Sequence, residues 1–280
     1  MNHFCTLDIR KYADKKANYH THTTRCQHAH GDDREYIEKA IEAGYEILGF
    51  SDHAPHVFEN GYVSPVRMKM SELDEYVSTL ERLRKEYEKD IQIFIGLETE
   101  YWPKVFEASL KHYQEYPVDY MILGQHHIND EASEQKVENA SKSEVELQSY
   151  VNRVIEAINT GYFMYVAHPD IFNFDGDEKV YDKYMNQLIA ELKKRKLPIE
   201  INCLGYRARN RKIRPKPYPR LHFVELAAKQ GCDFIVGMDA HKPEQLADYE
   251  NADGCVKMAQ QFGGKVISYC GSSNKHIKDN

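Results

Sequence analysis

The sequence lacks several features that mark whole classes of protein. Its 280 residues contain no apolar run near the roughly 20 residues that a membrane-spanning helix needs, so we exclude a membrane-spanning protein. Residues 1–16 carry charges but no apolar segment, which argues against a secretion signal. Neither G-x-G-x-x-G nor a P-loop follows the first predicted strand, which removes the usual nucleotide-binding signatures.

Paired cysteines are also missing. The 6 cysteines stand singly, with no C-x-x-C motif, and a chain of this length can build its core without disulfides. We therefore expect reduced thiols and a cytoplasmic protein. The net charge of −7 makes nucleic acid an unlikely partner and favours a small-molecule substrate. No pattern in the sequence predicts an oligomeric state.

Apolar runs alternate with amphipathic segments along the whole chain, without repeats or linkers, so we predict a single domain over residues 1–280. The predicted strands are residues 17–20, 46–50, 91–97, 118–124, 163–167, 198–202, 233–238 and 265–270. Helical patterns between them include residues 33–45, 71–89, 143–161, 181–195 and 218–231, and Gly44, Gly161 and Gly231 are placed to end helices. This alternation predicts an α/β fold with a parallel sheet, and seven or eight such units favour a closed barrel.

Potential metal ligands follow most of the predicted strands. A lone histidine is usually structural, but a repeated pattern at strand ends is not expected by chance, because those ends meet at one rim of a barrel. Residues two apart on a strand share a face, which pairs His20 with His22 and Asp239 with His241. We prefer His53 to the adjacent Asp52, which would orient a ligand. The remaining candidates are Glu98, His168 and His126, the last preferred to His127.

These side chains offer nitrogen and oxygen atoms, a donor set that suits Zn, Mn or Fe(II). They outnumber the ligands of one tetrahedral ion, so we expect two or three divalent ions, with Glu98 able to bridge two of them. Clustered divalent ions activate water and stabilise both the attacking and the leaving oxygen of a phosphoester. The residues alone therefore predict a metal-dependent phosphoesterase without naming its substrate.

The motifs YHTH, SDH, GLE, GQH, AHPD and GMDAH resemble, in order and spacing, the polymerase and histidinol phosphatase (PHP) superfamily. The segments around GFSDHAP and after EIN look most like its stand-alone histidinol-phosphate phosphatases. The resemblance covers about residues 17–270. It implies a distorted (β/α)7 TIM-like barrel with a trinuclear metal site at the C-terminal rim.

The resemblance also implies roles for individual residues. One ion would take His20, His22, Glu98 and Asp239, a second Glu98, His126 and His168, and a third His28, His53 and His241. A metal-bridging hydroxide would attack the phosphorus of L-histidinol phosphate, releasing histidinol and phosphate in histidine biosynthesis. Glu98, Asp239 and His241 would then be catalytic. The proton donor to the leaving oxygen stays open among Asp170, Asp239, His241 and a metal-bound water.

A basic stretch without acids runs from residue 207 to residue 220 and suggests a phosphate clamp. Arg207 best matches the arginine that follows the EIN strand in the family, and Arg67 is a second candidate. The other basic residues of the stretch fit a solvated loop equally well.

Three alternative functions remain open. A PHP-type enzyme could act on another phosphomonoester or on a nucleic-acid 3′ end, and the basic stretch alone supports that choice. An amidohydrolase-type barrel would leave His28, His53 and His241 unexplained. A metal-binding protein without activity would be expected to have lost some ligands.

Overall fold

The structure is a computed structural model that describes residues 4–133, 136–210 and 218–272. Within these residues, eight parallel strands form one sheet in which each strand pairs with its neighbours in the sequence. The strands are β1 (Ala17–Asn18), β2 (Ile47–His53), β3 (Gln92–Thr99), β4 (Tyr120–Leu123), β5 (Phe163–Val166), β6 (Ile199–Asn202), β7 (Asp233–Gly237) and β8 (Lys265–Ser268). The predicted α/β barrel is confirmed.

The helices of the described residues occupy the connections between strands. They are α1 (Asp33–Glu42), α2 (Leu73–Glu86), α3 (Pro103–Tyr113), α4 (Glu144–Asn159), α5 (Glu178–Arg195), α6 (Cys203–Asn210), α7 (Leu221–Lys229) and α8 (Tyr249–Gln260). Asp32 and Glu35 form a capping box that starts α1, and Gly44 just beyond its end has a φ of 73°. No helix in this part of the chain is both long and apolar enough to cross a membrane.

The two ends of the barrel close differently. At the amino end of the strands, β8 pairs with β7, and the Tyr269 carbonyl accepts a hydrogen bond from the Ala17 N–H (3.0 Å). At the carboxyl end, the His22 N–H donates to the Ala240 carbonyl (2.9 Å), and the Ala240 N–H donates to the His20 carbonyl (3.2 Å). The extensions of β1 and β7 therefore pair directly, and β8 does not reach this rim. The rim has the seven-stranded closure that the resemblance implies.

The barrel interior is filled below the rim. The side chains that pack there are separate from the apolar layer between sheet and helices, and they include Tyr19, Phe94, Tyr120, Tyr165 and Ile235. The Tyr120 hydroxyl donates to the carbonyls of Tyr19 and Phe50, at 2.9 Å each. Within the described residues, this packed interior closes the barrel below the strand ends, so the cavity at the rim has a floor.

Candidate metal centre

The strand ends bring the predicted ligands together at one cavity of about 430 Å³. The register of β2 and β3 places His53 beside Glu98. The residues of the predicted ligand set that line the cavity are His22, His28, His53, Glu98, His126, Asp239 and His241. His20 and His168 are buried against the same cluster, their ring centroids 5.8 Å apart. All nine predicted ligands thus lie in one region of the rim.

Glu98 lies at the centre of this cluster, and its two carboxylate oxygens face different histidines. Its Oε2 is near His53 Nδ1 (3.0 Å), His22 Nε2 (3.4 Å) and His20 Nε2 (3.5 Å). Its Oε1 is near His168 Nε2 (3.0 Å) and His126 Nε2 (3.8 Å). A carboxylate whose two oxygens face separate groups of histidines can bridge two ions.

Asp239 completes the group on the Oε2 side of Glu98. Its Oδ1 is 3.2 Å from His22 Nε2 and 3.6 Å from His20 Nε2. Ligand bonds of about 2.0–2.1 Å in a tetrahedral zinc site put two ligand atoms about 3.3 Å apart. The separations among these four side chains are therefore those expected of atoms that share one ion.

A third group lies nearer the mouth of the cavity. The His28 and His241 Nε2 atoms are 3.0 Å apart, and the ring centroids of His28 and His53 are 5.3 Å apart. His28 Nδ1 donates a hydrogen bond to the Cys26 carbonyl (2.7 Å), which leaves Nε2 with its lone pair in the neutral ring. That lone pair is what a metal ion requires of a histidine.

The cluster also has unsatisfied atoms that a cation would satisfy. Buried side-chain atoms without a hydrogen-bond partner in the described residues include His20 Nε2, both ring nitrogens of His22, Glu98 Oε2 and Asp239 Oδ1. Such atoms are costly to bury, and here they lie together. The nitrogen and oxygen donors fit a borderline or hard divalent ion.

Several of these histidines are in the protonation state that favours metal binding. Burial lowers the pKa of His53 to about 3 and holds the pKa of His241 well below its usual value. Burial also lowers the pKa of His126. At Glu98, burial opposes ionisation, but the surrounding histidines, His20 and His168 among them, hold the pKa well below its usual range. At His20, His22 and His168, the neighbouring carboxylates outweigh burial and raise the pKa. The rings of His53, His126 and His241 are thus in the neutral state that binds a metal ion, whereas the other three rings must lose a proton on binding.

Glu200 on β6 orients the buried side of the centre, and the sequence reasoning missed it. Its carboxylate is 2.8 Å from His20 Nδ1, which turns His20 Nε2 toward Glu98 and Asp239. It also accepts hydrogen bonds from the His168 N–H (3.0 Å) and from Asn202 Nδ2 (2.8 Å). The available signal was Glu200 and Asn202 alternating within the otherwise apolar run IEIN.

We expect Glu200→Gln to lower metal affinity and kcat/KM by about 10- to 100-fold, as is typical when a partner of a metal-binding histidine is changed. Glutamine cannot accept from His20 and from the His168 N–H without turning an amide N–H toward one of them. Metal content after dialysis and initial rates measure the effect. Glu88→Gln, at an exposed position, is the matched control. Wild-type affinity in Glu200→Gln would contradict this role.

Asp52 on β2 lies beside the predicted ligands, and its role in orienting them stays a prediction. Its Oδ1 is 3.5 Å from His22 Nδ1 and accepts a hydrogen bond from the His53 N–H (2.9 Å). Its Oδ2 accepts from the Thr23 hydroxyl. Asp52 therefore contacts two of the predicted ligands from behind the cluster.

Two backbone features accompany the predicted ligands: glycines that leave room for carboxylates, and left-handed φ angles at two of the ligands. A Cβ atom at Gly124 would lie 1.8 Å from Glu98 Oε1, and one at Gly237 would lie 1.9 Å from Glu200 Oε1. His168 and Asp239 adopt positive φ angles of 31° and 48°, which are uncommon for residues other than glycine. Close-packed glycine and left-handed backbone thus both occur where strands end at the candidate centre.

Arg67 lines the cavity, but its guanidinium is held by two buried carboxylates. Nε is 2.6 Å from Glu131 Oε2, and NH2 is 2.7 Å from Glu100 Oε1. Glu100 in turn accepts hydrogen bonds from the N–H groups of His126 and His127, at 2.9 and 2.8 Å. The described contacts of Arg67 thus support the loop that carries His126.

Arg207 lies on α6 and is not among the described residues that line the cavity. Its guanidinium contacts the Asp248 carboxylate (3.3 Å) and the Met238 carbonyl (3.2 Å). Within the rest of the basic stretch, Arg209 donates to the Pro219 carbonyl, and Arg220 donates to the Phe174 carbonyl. Residues 211–217 lie outside the described residues.

Asp170, one of the candidate proton donors, is buried. Its Oδ2 accepts a hydrogen bond from the Arg220 N–H (2.5 Å). Burial raises the pKa of Asp170 to about 6. Asp239 and His241, in contrast, line the cavity.

Known proteins resemble this chain over most of its length. The model of the PHP domain matches residues 18–203. The protein named "Probable histidinol-phosphatase" of Deinococcus radiodurans is 28% identical over 257 residues, which cover 89% of this chain and 95% of the relative. The protein of the same name from Schizosaccharomyces pombe is 26% identical over 247 residues, covering 81% of each chain.

A solved structure shows the same fold. The histidinol phosphate phosphatase of Lactococcus lactis, in complex with Zn, L-histidinol and phosphate, superposes with a TM-score of 0.70 at 18% identity. The match covers 92% of this chain and 97% of that one. The PHP barrel and the sequence resemblance are therefore confirmed, and the chain belongs to the PHP domain family.

Proposed function

We propose that the protein is a metal-dependent phosphomonoesterase that hydrolyses L-histidinol phosphate to L-histidinol and phosphate in histidine biosynthesis. The observation that carries this proposal is Glu98, whose two oxygens each face a separate group of histidines at the base of a cavity. The names of the two relatives and the ligands of the Lactococcus lactis structure support the choice of substrate.

The nine predicted ligands would hold two or three divalent ions of Zn, Mn or Fe. Such ions, when bound, lower the pKa of water and offset the negative charge of phosphate oxygens. The side chains of Val66, Leu204 and Tyr218 line the same cavity and enclose the organic part of a substrate. All six cysteines are free thiols, which fits a reducing compartment, so we propose a cytoplasmic protein.

We propose Glu98, Asp239 and His241 as the catalytic residues. All three line the cavity, and Asp239 Oδ1 is 3.4 Å from His241 Nδ1. As metal ligands, they would hold the ions that act on the ester. We keep Arg67 and Arg207 as proposed phosphate contacts, with Arg67 the better placed because it lines the cavity.

The test is the rate of phosphate release from L-histidinol phosphate compared with generic phosphomonoesters, with Mn²⁺ or Zn²⁺ added. We expect kcat/KM to favour L-histidinol phosphate by about 1000-fold or more, equivalent to about 4 kcal/mol of selective transition-state binding. A chelator should abolish the activity, and the metal should restore it. Equal, slow rates across the panel would overturn the substrate, and activity that withstands chelation would overturn the metal centre.

A further inference from the structure

Lys136 lines the cavity but lies outside the predicted ligand set. It belongs to the connection between β4 and α4 and is exposed. Among the described residues that line the cavity, only Arg67 and Lys136 have side chains that are positively charged throughout the physiological pH range. These two residues are therefore the candidates for a direct cationic contact with a phosphate in the cavity.

The guanidinium of Arg67 is already surrounded by acceptors from the chain. Its Nε is 2.6 Å from Glu131 Oε2, and its NH2 is 2.7 Å from Glu100 Oε1. Its NH1 donates to the Ala54 carbonyl (3.2 Å), and the residue is only 3% exposed. Two carboxylates thus balance the charge of Arg67, and each of its guanidinium nitrogens has an acceptor other than phosphate.

The ammonium group of Lys136 has a different environment. In the part of the chain that the structure describes, no carboxylate or other acceptor contacts its Nζ. An ammonium group offers three N–H donors, which are available here to a ligand. Lysine is a common phosphate-binding residue because it presents a compact positive charge on a flexible stem.

Backbone contacts place Lys136 beside the part of the predicted centre that contains His126. Lys136 pairs with His127 in an antiparallel bridge, and the Val137 N–H donates to the His126 carbonyl (2.9 Å). His126 Nε2 is in turn 3.8 Å from Glu98 Oε1. The backbone of Lys136 is thus held next to the loop that carries a predicted ligand, and its side chain lines the same cavity as that ligand.

We propose that Lys136 is a substrate-binding residue that contacts the phosphate of L-histidinol phosphate. This proposal rests on the proposed function, which supplies the phosphate group. The ammonium group would donate a hydrogen bond to a phosphate oxygen that points away from the ligand cluster. Lys136 would then contribute to the binding of the phosphate and not to the binding of the histidinol part.

The test measures the binding of two separate probes, inorganic phosphate and L-histidinol, to the metal-loaded protein by isothermal titration calorimetry. Lys136→Met removes the charge and keeps most of the side-chain length. We expect it to weaken phosphate binding by about 10-fold, the lower end of the effect of a hydrogen bond to a charged group, because the residue is exposed. L-Histidinol binding should stay unchanged. Lys136→Arg, which keeps the charge, should recover most of the phosphate affinity.

Kinetics and a control variant complete the test. In Lys136→Met, kcat/KM for L-histidinol phosphate should fall by about the same factor as the phosphate affinity. Lys142→Met removes the same charge at an exposed position of the same connection and should change neither binding nor rate.

Wild-type phosphate affinity in Lys136→Met would overturn the proposal. An equal loss of affinity for L-histidinol would also overturn it, because that result indicates a structural role. A wild type that binds phosphate through Lys136 but does not cleave L-histidinol phosphate would support the phosphate contact and overturn the proposed function.

Discussion

Replacing Glu98 with alanine is expected to lower kcat by about 1000-fold or more while the chain still folds. Such a loss corresponds to about 4 kcal/mol of transition-state stabilisation, which is within the several kcal/mol that bound metal ions supply. The reason is the position of the Glu98 carboxylate between two groups of histidines. Glu98 is the one described side chain whose two oxygens face both His22 Nε2 (3.4 Å) and His168 Nε2 (3.0 Å). Its removal takes a ligand from both groups at once.

Three measurements on Glu98→Ala test this expectation. Phosphate release gives kcat, elemental analysis gives the bound metal per chain, and circular dichroism with thermal unfolding reports the fold. We expect metal content to fall together with kcat. Glu98→Gln keeps the side-chain volume but not the charge, and it should also lose activity. Glu107→Ala, at an exposed position on α3, is the matched control. More than about a tenth of wild-type activity in Glu98→Ala would exclude the bridging role.

The fold was largely predictable from the sequence because parallel strands that are buried on both faces form continuous apolar runs. The eight predicted runs correspond to β1–β8. What the periodicity could not show is where β8 ends relative to the rim. That depends on the direct pairing of His22 with Ala240, which is a long-range contact without a local pattern.

The candidate site was predictable to the extent that the candidate ligands stand at strand ends. His28 did not follow from such a pattern, because it comes after a short helical turn at Thr24–Cys26 and a left-handed Gln27 (φ 69°). Family resemblance supplied it. Glu200 inside β6 and Glu100 just after β3 were missed because a buried carboxylate shows its importance only when its partners on other segments are known.

Arg67 and Arg207 show the same limit of prediction from sequence. The sequence shows Arg67 in a loop and Arg207 after β6, and both have the chemistry to bind phosphate. Only the structure shows that Glu100 and Glu131 contact Arg67, and that Asp248 contacts Arg207. Ion pairs between distant segments have no periodic signature, so charge in a loop does not reveal its partner.

Gly124→Ala adds a single methyl group, yet we expect it to cost about 100-fold or more in kcat/KM, close to the effect of changing a group that orients a ligand. The new Cβ would lie 1.8 Å from Glu98 Oε1 and 2.6 Å from its Cδ. The whole end of the Glu98 side chain would have to move. Because Glu98 is 1% exposed and surrounded by histidines, that movement must break its contacts with His168 or His126.

A control variant distinguishes the loss of metal and activity in Gly124→Ala from simple destabilisation of the fold. Gly161→Ala, where a Cβ would meet nothing within 4 Å but φ is 78°, should lower the melting temperature while leaving kcat/KM and metal content unchanged. Gly124→Ala should instead lose metal and activity at temperatures where its circular dichroism is still that of the folded chain. If Gly124→Ala keeps both its metal and its rate, Glu98 has other positions from which it can serve the centre. The close approach of β3 and β4 would then be a matter of packing alone.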